Sequence, residues 1–129
     1  GTQALTKLLA KMPRNGPPIV IVQHMHHQYL NSFAQRLAEI SGLPLQDAIN
    51  DSKLMQGSIC LPCGDFHLGL YRRNRHNNDV VMRLETRDDF TGHRPSVNYL
   101  FKSTAKLNLP AAAILLTGMG KDGAEGLWN

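Results

Sequence analysis

The run Ala111-Ala112-Ala113-Ile114-Leu115-Leu116 leads straight into Thr117-Gly118-Met119-Gly120-Lys121-Asp122-Gly123-Ala124. An apolar run with no polar alternation predicts a strand buried on both faces, as in a parallel sheet. Gly118, Gly120 and Gly123 then let the backbone turn sharply and approach another group closely. Pro18-Ile19-Val20-Ile21-Val22 is a second such run, β-branched and again without alternation. Two strands of this kind with helical patterns between them confine the chain to an α/β architecture with a mainly parallel sheet.

The remaining pattern fits that frame. Ala4, Leu5, Leu8, Leu9 and Met12 form one helical stripe closed by Pro13, and Asn15-Gly16-Pro17 marks a turn. A second helix places Leu30, Phe33, Leu37 and Ile40 on one face, with Ser41-Gly42 as its stop. Leu43 to Ala48 reads as a short strand. Ser58 to Leu61, Phe66 to Tyr71 and Val80 to Leu84 read as short strands of a hairpin or small meander. Ser96 suits the N-cap of a helix carrying Val97, Leu100, Phe101, Ala105 and the neighbouring Leu107. An α/β unit usually has a strand feeding its first helix, and Asp122 to Asn129 reads as the opening of a helix. The expectation is one partial domain over residues 1–129, doubly wound, with helices on both faces and a small antiparallel hairpin. Its first strand and C-terminal elements are expected to be missing.

Composition excludes some classes. A chain of 129 residues makes one core. No apolar run approaches the ~18–20 residues of a membrane span. Two cysteines make no disulfide framework, and no signal peptide precedes the first helix, which points to the cytoplasm. The net charge of +4 has its densest piece at Arg72-Arg73-Asn74-Arg75-His76, read as a solvated hairpin tip. A nucleic-acid surface would interleave aromatics with such a cluster, so none is expected.

His24 and Asp122 each stand just past the carboxyl end of a buried strand, where open α/β sheets bind ligands. A His beside an Asp is the base-and-orienter half of a nucleophilic triad. Spacing alone equally allows a half-buried His and a capping Asp. Cys60-x-x-Cys63 with His67 has part of a zinc or redox pattern but no second Cys pair. His24, His26 and His27 have no carboxylate or thiol patterned to complete a metal site. No cofactor or metal is expected.

Three blocks carry a resemblance: Val22-Gln23-His24-Met25; His93-Arg94-Pro95-Ser96-Val97 with Leu100-Phe101; and Leu116 to Ala124 with Gly126-Leu127. In this order they closely resemble the catalytic domain of the chemotaxis protein-glutamate methylesterases, the CheB family, over essentially the whole chain. The resemblance implies a doubly wound domain with a Ser-His-Asp triad that hydrolyses glutamate γ-methyl esters on chemoreceptor helices and releases methanol. Many members also deamidate receptor glutamines. It implies His24 as general base, Asp122 as its orienter, and Met119 with Gly120 at the substrate-lining turn, the Met119 N–H serving as oxyanion donor. The family's nucleophile stands in a Gly-x-Ser-Thr-Gly-Gly loop; Gly1-Thr2 matches the end of that loop, which puts the serine three residues ahead of Gly1.

Ser32, Ser41, Ser52, Ser58, Ser96 and Ser103 read as capping or surface hydroxyls. A triad without its nucleophile typically loses on the order of 10⁶ in turnover, so the chain as written should be nearly inert. The chain departs from the family pattern at His26-His27, where prolines are frequent, at Asn98, where an acid is usual, and at Pro62-Cys63-Gly64-Asp65, where Ala-Pro-Gly-Asp stands. The partners implied are methylated chemoreceptor helices and, in a full-length protein, an N-terminal receiver domain and the chemotaxis kinase. The alternative is an inactive remnant that docks receptors or a receiver domain without hydrolysis.

Overall fold

The computed structural model describes residues 2–87 and 94–116. Met119, Gly120 and Asp122, with the glycine turn that holds them and His93, lie outside the described residues.

Helix α1, Thr2–Ala10, buries Leu5 and Leu9. Helix α2, His27–Ser41, buries Leu30, Phe33, Ala34 and Leu37. Ala34 takes the place expected for Ile40, which is 40% exposed because the stripe 30-33-34-37-41 turns away from it. Gly42 ends α2 in the left-handed region at φ 72° and donates its N–H to the Ala38 carbonyl at 2.9 Å.

Between the helices lies a parallel sheet of β1 (Ile19–Val20), β2 (Leu45–Gln46) and β3 (Ile59–Cys60), in the order β1-β3-β2. Expected as part of a hairpin or meander, the segment at Ser58 to Leu61 instead forms the centre of this sheet. All four of its residues are buried, the mark of a strand covered on both faces rather than one. Its side chains alternate: Ile59 and Leu61 join α1 and α2 in one core, whereas Cys60 joins a second core on the opposite face. β1 does the same, Ile19 and Ile21 facing the first core and Val20 and Val22 the second. The sheet thus divides two helical layers.

The second layer holds β4 (His67–Arg72) and β5 (Val80–Glu85), an antiparallel hairpin with Leu70 opposite Met82. Helix α3, Val97–Ala105, packs Leu100 against it, together with Leu107 just beyond the helix. Ala105 is exposed; Ser103 takes the inward position, donating to the Leu100 carbonyl at 2.9 Å and accepting the Leu70 N–H at 3.0 Å. The hairpin loop is exposed, as expected of a solvated tip. Asn74 Oδ1 accepts the N–H groups of His76 and Asn77, and Arg72 is spent on Asn77, Asn78 and Leu107 oxygens. Among the described residues no helix is long and apolar enough to cross a membrane.

Two expected buried strands are less than that. In the Pro18 to Val22 run only Ile21 is buried, and the paired residues Ile19 and Val20 are half-exposed. Ala111 to Leu116 forms no strand, and Ala111 to Leu115 are exposed. The reason is shared. Among the described residues β1 is the edge of its sheet and no strand pairs with 111–116, so neither run has a described neighbour on that side. Both line a cleft of about 1940 Å³ walled by Leu5 and Leu9 of α1 and by Leu100 and Phe101 of α3.

Candidate active site

His24 lies four residues past the end of β1, on the carboxyl side of the sheet. It stands at one end of the apolar cleft and also lines a separate pocket of about 330 Å³ with Met25, His26, His27, Arg94 and Pro95. The pocket is half-open, and Arg94 in its lining is paired with Asp65. His26 caps α2, its Nδ1 accepting the Gln28 N–H at 3.4 Å. Gln23-His24-Met25 is therefore pinned between the end of a parallel strand and the start of a helix, the crevice position of α/β folds.

The His24 ring is 3.2 Å from the Pro95 carbonyl oxygen through Nε2. A carbonyl only accepts, so this contact is a hydrogen bond only in the tautomer with the proton on Nε2; the tautomer with the proton on Nδ1 leaves Nε2 as an acceptor. Pro95 belongs to a segment fixed on both sides. Arg94 donates from Nε and Nη2 to the two oxygens of Asp65, each at 2.9 Å, a bidentate fork, and from Nη1 to the Thr86 carbonyl. On the other side the Ser96 N–H donates to Nδ1 of His67 at 3.1 Å inside the core. His67 is 2% exposed and stacks on Tyr99 with ring centroids 5.2 Å apart. The Arg94 guanidinium holds the Asp65 carboxyl below the usual aspartate range, chiefly through its hydrogen bonds.

Of the sequence-derived site, the structure places His24 in the crevice. Asp122, Met119 and Gly120 lie outside the described residues, so their approach to His24 is not part of this geometry. Ser96 caps α3 as expected, whereas Ser41, Ser58 and Ser103, expected as capping or surface hydroxyls, are buried. Ser96 Oγ accepts the Tyr99 N–H at 3.2 Å, and Ser41 and Ser58 bond to the backbone carbonyls of Ala38 and Met55.

Cys60 is buried with its sulfur 3.6 Å from that of Met82, and burial pushes its thiol up to about 12. Among the described residues no three His, Cys, Asp or Glu side chains converge as metal ligands. Sequence reasoning passed over the pairing of Asp65 with Arg94 and of His67 with Ser96. The signal was available in the blocks Pro62 to Asp65 and His93 to Ser96, which look unrelated until the fold joins them.

A parallel sheet between two helical layers, with a histidine presented beyond the carboxyl end of one strand, defines an α/β domain with a crevice site. The family model for CheB methylesterase matches residues 1–129, and the chain belongs to that family. The protein-glutamate methylesterase/protein-glutamine glutaminase of Agrobacterium fabrum is 43% identical over 129 residues, and that of Sulfurimonas denitrificans 40% over 128. Each match takes in 98% of this chain but only 36% of the relative. The crystal structure of the Thermotoga maritima CheB methylesterase catalytic domain superposes with a TM-score of 0.87 at 35% identity, covering 99% of this chain and 67% of that one.

Proposed function

We propose that the chain supplies the base-bearing part of a protein-glutamate methylesterase site, with His24 as general base, Asp122 as its orienter and a serine from a Gly-x-Ser-Thr-Gly-Gly loop as nucleophile. The observation that carries this is the place of His24, beyond a parallel strand and on the wall of a half-open pocket, in a chain of this family. The serine Oγ attacks the γ-ester carbonyl while its proton passes to His24. The tetrahedral oxyanion is met by the Met119 N–H. His24 returns the proton to the departing methoxide, methanol leaves, and water hydrolyses the acyl-enzyme by the same relay.

The relatives' names also include a protein-glutamine glutaminase. The same attack on a receptor glutamine would expel ammonia. The reaction needs no cofactor. Methylated chemoreceptor helices in the cytoplasm are the proposed substrate, and a receiver domain and the chemotaxis kinase are the proposed regulators.

The test is methanol release from methylated receptor by this chain and by a version extended upstream through the Gly-x-Ser-Thr-Gly-Gly loop. Release by the extended version alone, abolished by His24→Ala, is the expected result. Two folded versions that bind receptor yet release nothing would leave a docking module in place of an enzyme.

A further inference from the structure

His67 and Ser96 meet inside the core, and neither enters the triad. His67 opens β4, where its register partner is Glu85 of β5, and Ser96 precedes α3; 29 residues separate the two. The imidazole is 2% exposed and Ser96 is wholly buried. A main-chain N–H only donates, so the 3.1 Å contact from Ser96 is a hydrogen bond with Nδ1 of His67 proton-free, the proton of the neutral ring being on Nε2. Tyr99 stacks on that ring with 5.2 Å between centroids and 29° between planes, which holds its orientation. Burying an imidazole costs more than burying an aliphatic side chain of its size, so what His67 adds to this core is the acceptor atom.

Ser96 is a joint between two tasks. Its Oγ caps α3 by accepting the Tyr99 N–H at 3.2 Å. The two residues before it, Arg94 and Pro95, line the pocket that His24 shares. Arg94 is tied at the surface to Asp65, whose side chain is 61% exposed, and an ion pair so exposed is a weak anchor. The bond from Ser96 to His67 is a buried one, and a hydrogen bond in low dielectric is stronger than one in water.

We propose that His67 is a positioning residue: its Nδ1 holds the Ser96 N–H, and through it the Arg94–Pro95 wall of the His24 pocket. His67 acts through Ser96 and is not among the residues lining that pocket. Its effect on turnover rests on the reading of His24 as general base; its effect on the wall does not.

The distinguishing variants are His67→Asn and His67→Leu. Asn carries Oδ1 on Cγ, the atom that carries Nδ1 in histidine, so it keeps an acceptor for the Ser96 N–H. Leu has nearly the shape of Asn and no acceptor. A role in packing alone favours Leu, the apolar side chain, whereas a role as acceptor favours Asn. Ser103→Ala is the control, because it removes a different buried bond between α3 and β4, the one from the Leu70 N–H.

The first readout does not need activity. With ¹⁵N-labelled histidine, multiple-bond correlation spectra should show His67 with a proton-free Nδ1 and its proton on Nε2. The His24 ring signals and the Arg94 Nε–H signal should move in His67→Leu and stay near their unsubstituted positions in His67→Asn and Ser103→Ala. Spectra are taken on this chain, or on the upstream-extended chain if this one gives no dispersed spectrum.

The second readout is kinetic. In an extended chain that releases methanol, at a temperature where every variant is folded, His67→Leu should lower kcat/KM about 10-fold, the worth of one hydrogen bond. His67→Asn should restore most of that loss, and Ser103→Ala should cause none. A proton on Nδ1 of His67 in the unsubstituted protein overturns the proposal, as does a His67→Leu variant that stays as close to the unsubstituted protein as His67→Asn. Where His67→Leu does not fold, the His67 tautomer and the His67→Asn spectrum decide, and moved His24 and Arg94 signals in His67→Asn overturn it. An unsubstituted extended chain that releases no methanol counts against the esterase reading only; the spectra still decide the positioning role.

Discussion

Cys60 shows how burial alone can decide a side chain's chemistry. Its thiol sits in the second core against Met82, and desolvation, with smaller contributions from Cys63 and Asp47, pushes it up to about 12. At pH 8 an alkylating reagent should modify Cys63 and leave Cys60 untouched until the chain unfolds; rapid labelling of both in the native state would contradict this burial. Between the ordinary thiol value of 9.0 and about 12 the unfolded chain binds fewer protons than the folded one. The Cys60 contribution to stability is therefore whole below the lower value and lost as pH rises towards the upper.

Gly57 is constrained differently. Its φ is 72°, and a Cβ there would lie 2.9 Å from the Arg14 carbonyl oxygen. Gly57→Ala should destabilise by about 1–3 kcal/mol, from left-handed strain together with a backbone clash. A urea midpoint unchanged by the substitution would show that the loop relaxes freely.

At the scale of elements, α3 depends on its first residue outside the helix. Ser96 is wholly buried, at φ −103° and ψ 130°, and its Oγ accepts the Tyr99 N–H. Ser96→Ala leaves that helical N–H without its cap and should cost about 1–2 kcal/mol. Because the same residue's N–H meets His67, the melting of α3 and loss of the His67 contact should coincide in amide exchange; separate exchange would mean the two are not coupled. β4 leans on the helix in turn, its Leu70 N–H bonded to Ser103. Helix and hairpin are one unit, and the Asp65–Arg94 fork closes its open end.

At the scale of the whole chain, β1 is an edge strand among the described residues. Ile19 and Ile21 send their N–H groups to Ser58 and Cys60 of the β3 segment, so strand alternation turns those of Val20 and Val22 into the cleft. Sheet edges of this kind template further pairing, and this one is flanked by exposed Ile114 and Leu115. Amides of Val20 and Val22 should exchange faster than those of Ile19 and Ile21. The chain should also associate as concentration rises, seen as growing light scattering. A monomer at high concentration with a cooperative melt and a native-like near-UV spectrum would refute the second expectation. Protection at Val20 equal to that at Ile21 would refute the first.

Some of this was legible from residues alone because it depends on neighbours along the chain. Leu5, Leu9, Leu30, Phe33 and Leu37 recur at helical spacing, Gly42 follows the last of the second stripe, and Ser96 precedes Val97, so both amphipathic helices, a C-cap and an N-cap followed directly. The three blocks, around His24, around Pro95 and from Leu116 to Ala124, were likewise sufficient to indicate the family. Local pattern does not encode which edge finds a partner. Ser58 to Leu61 joined the parallel sheet rather than a hairpin, and Ala111 to Leu115, apolar enough for any core, lie exposed. Backbone groups are satisfied only by a second strand at the right distance, and periodicity carries no such information. The Pro95 carbonyl at His24, and the Asp65 fork behind it, are decided in the same way, by long-range pairing that only the tertiary structure brings about.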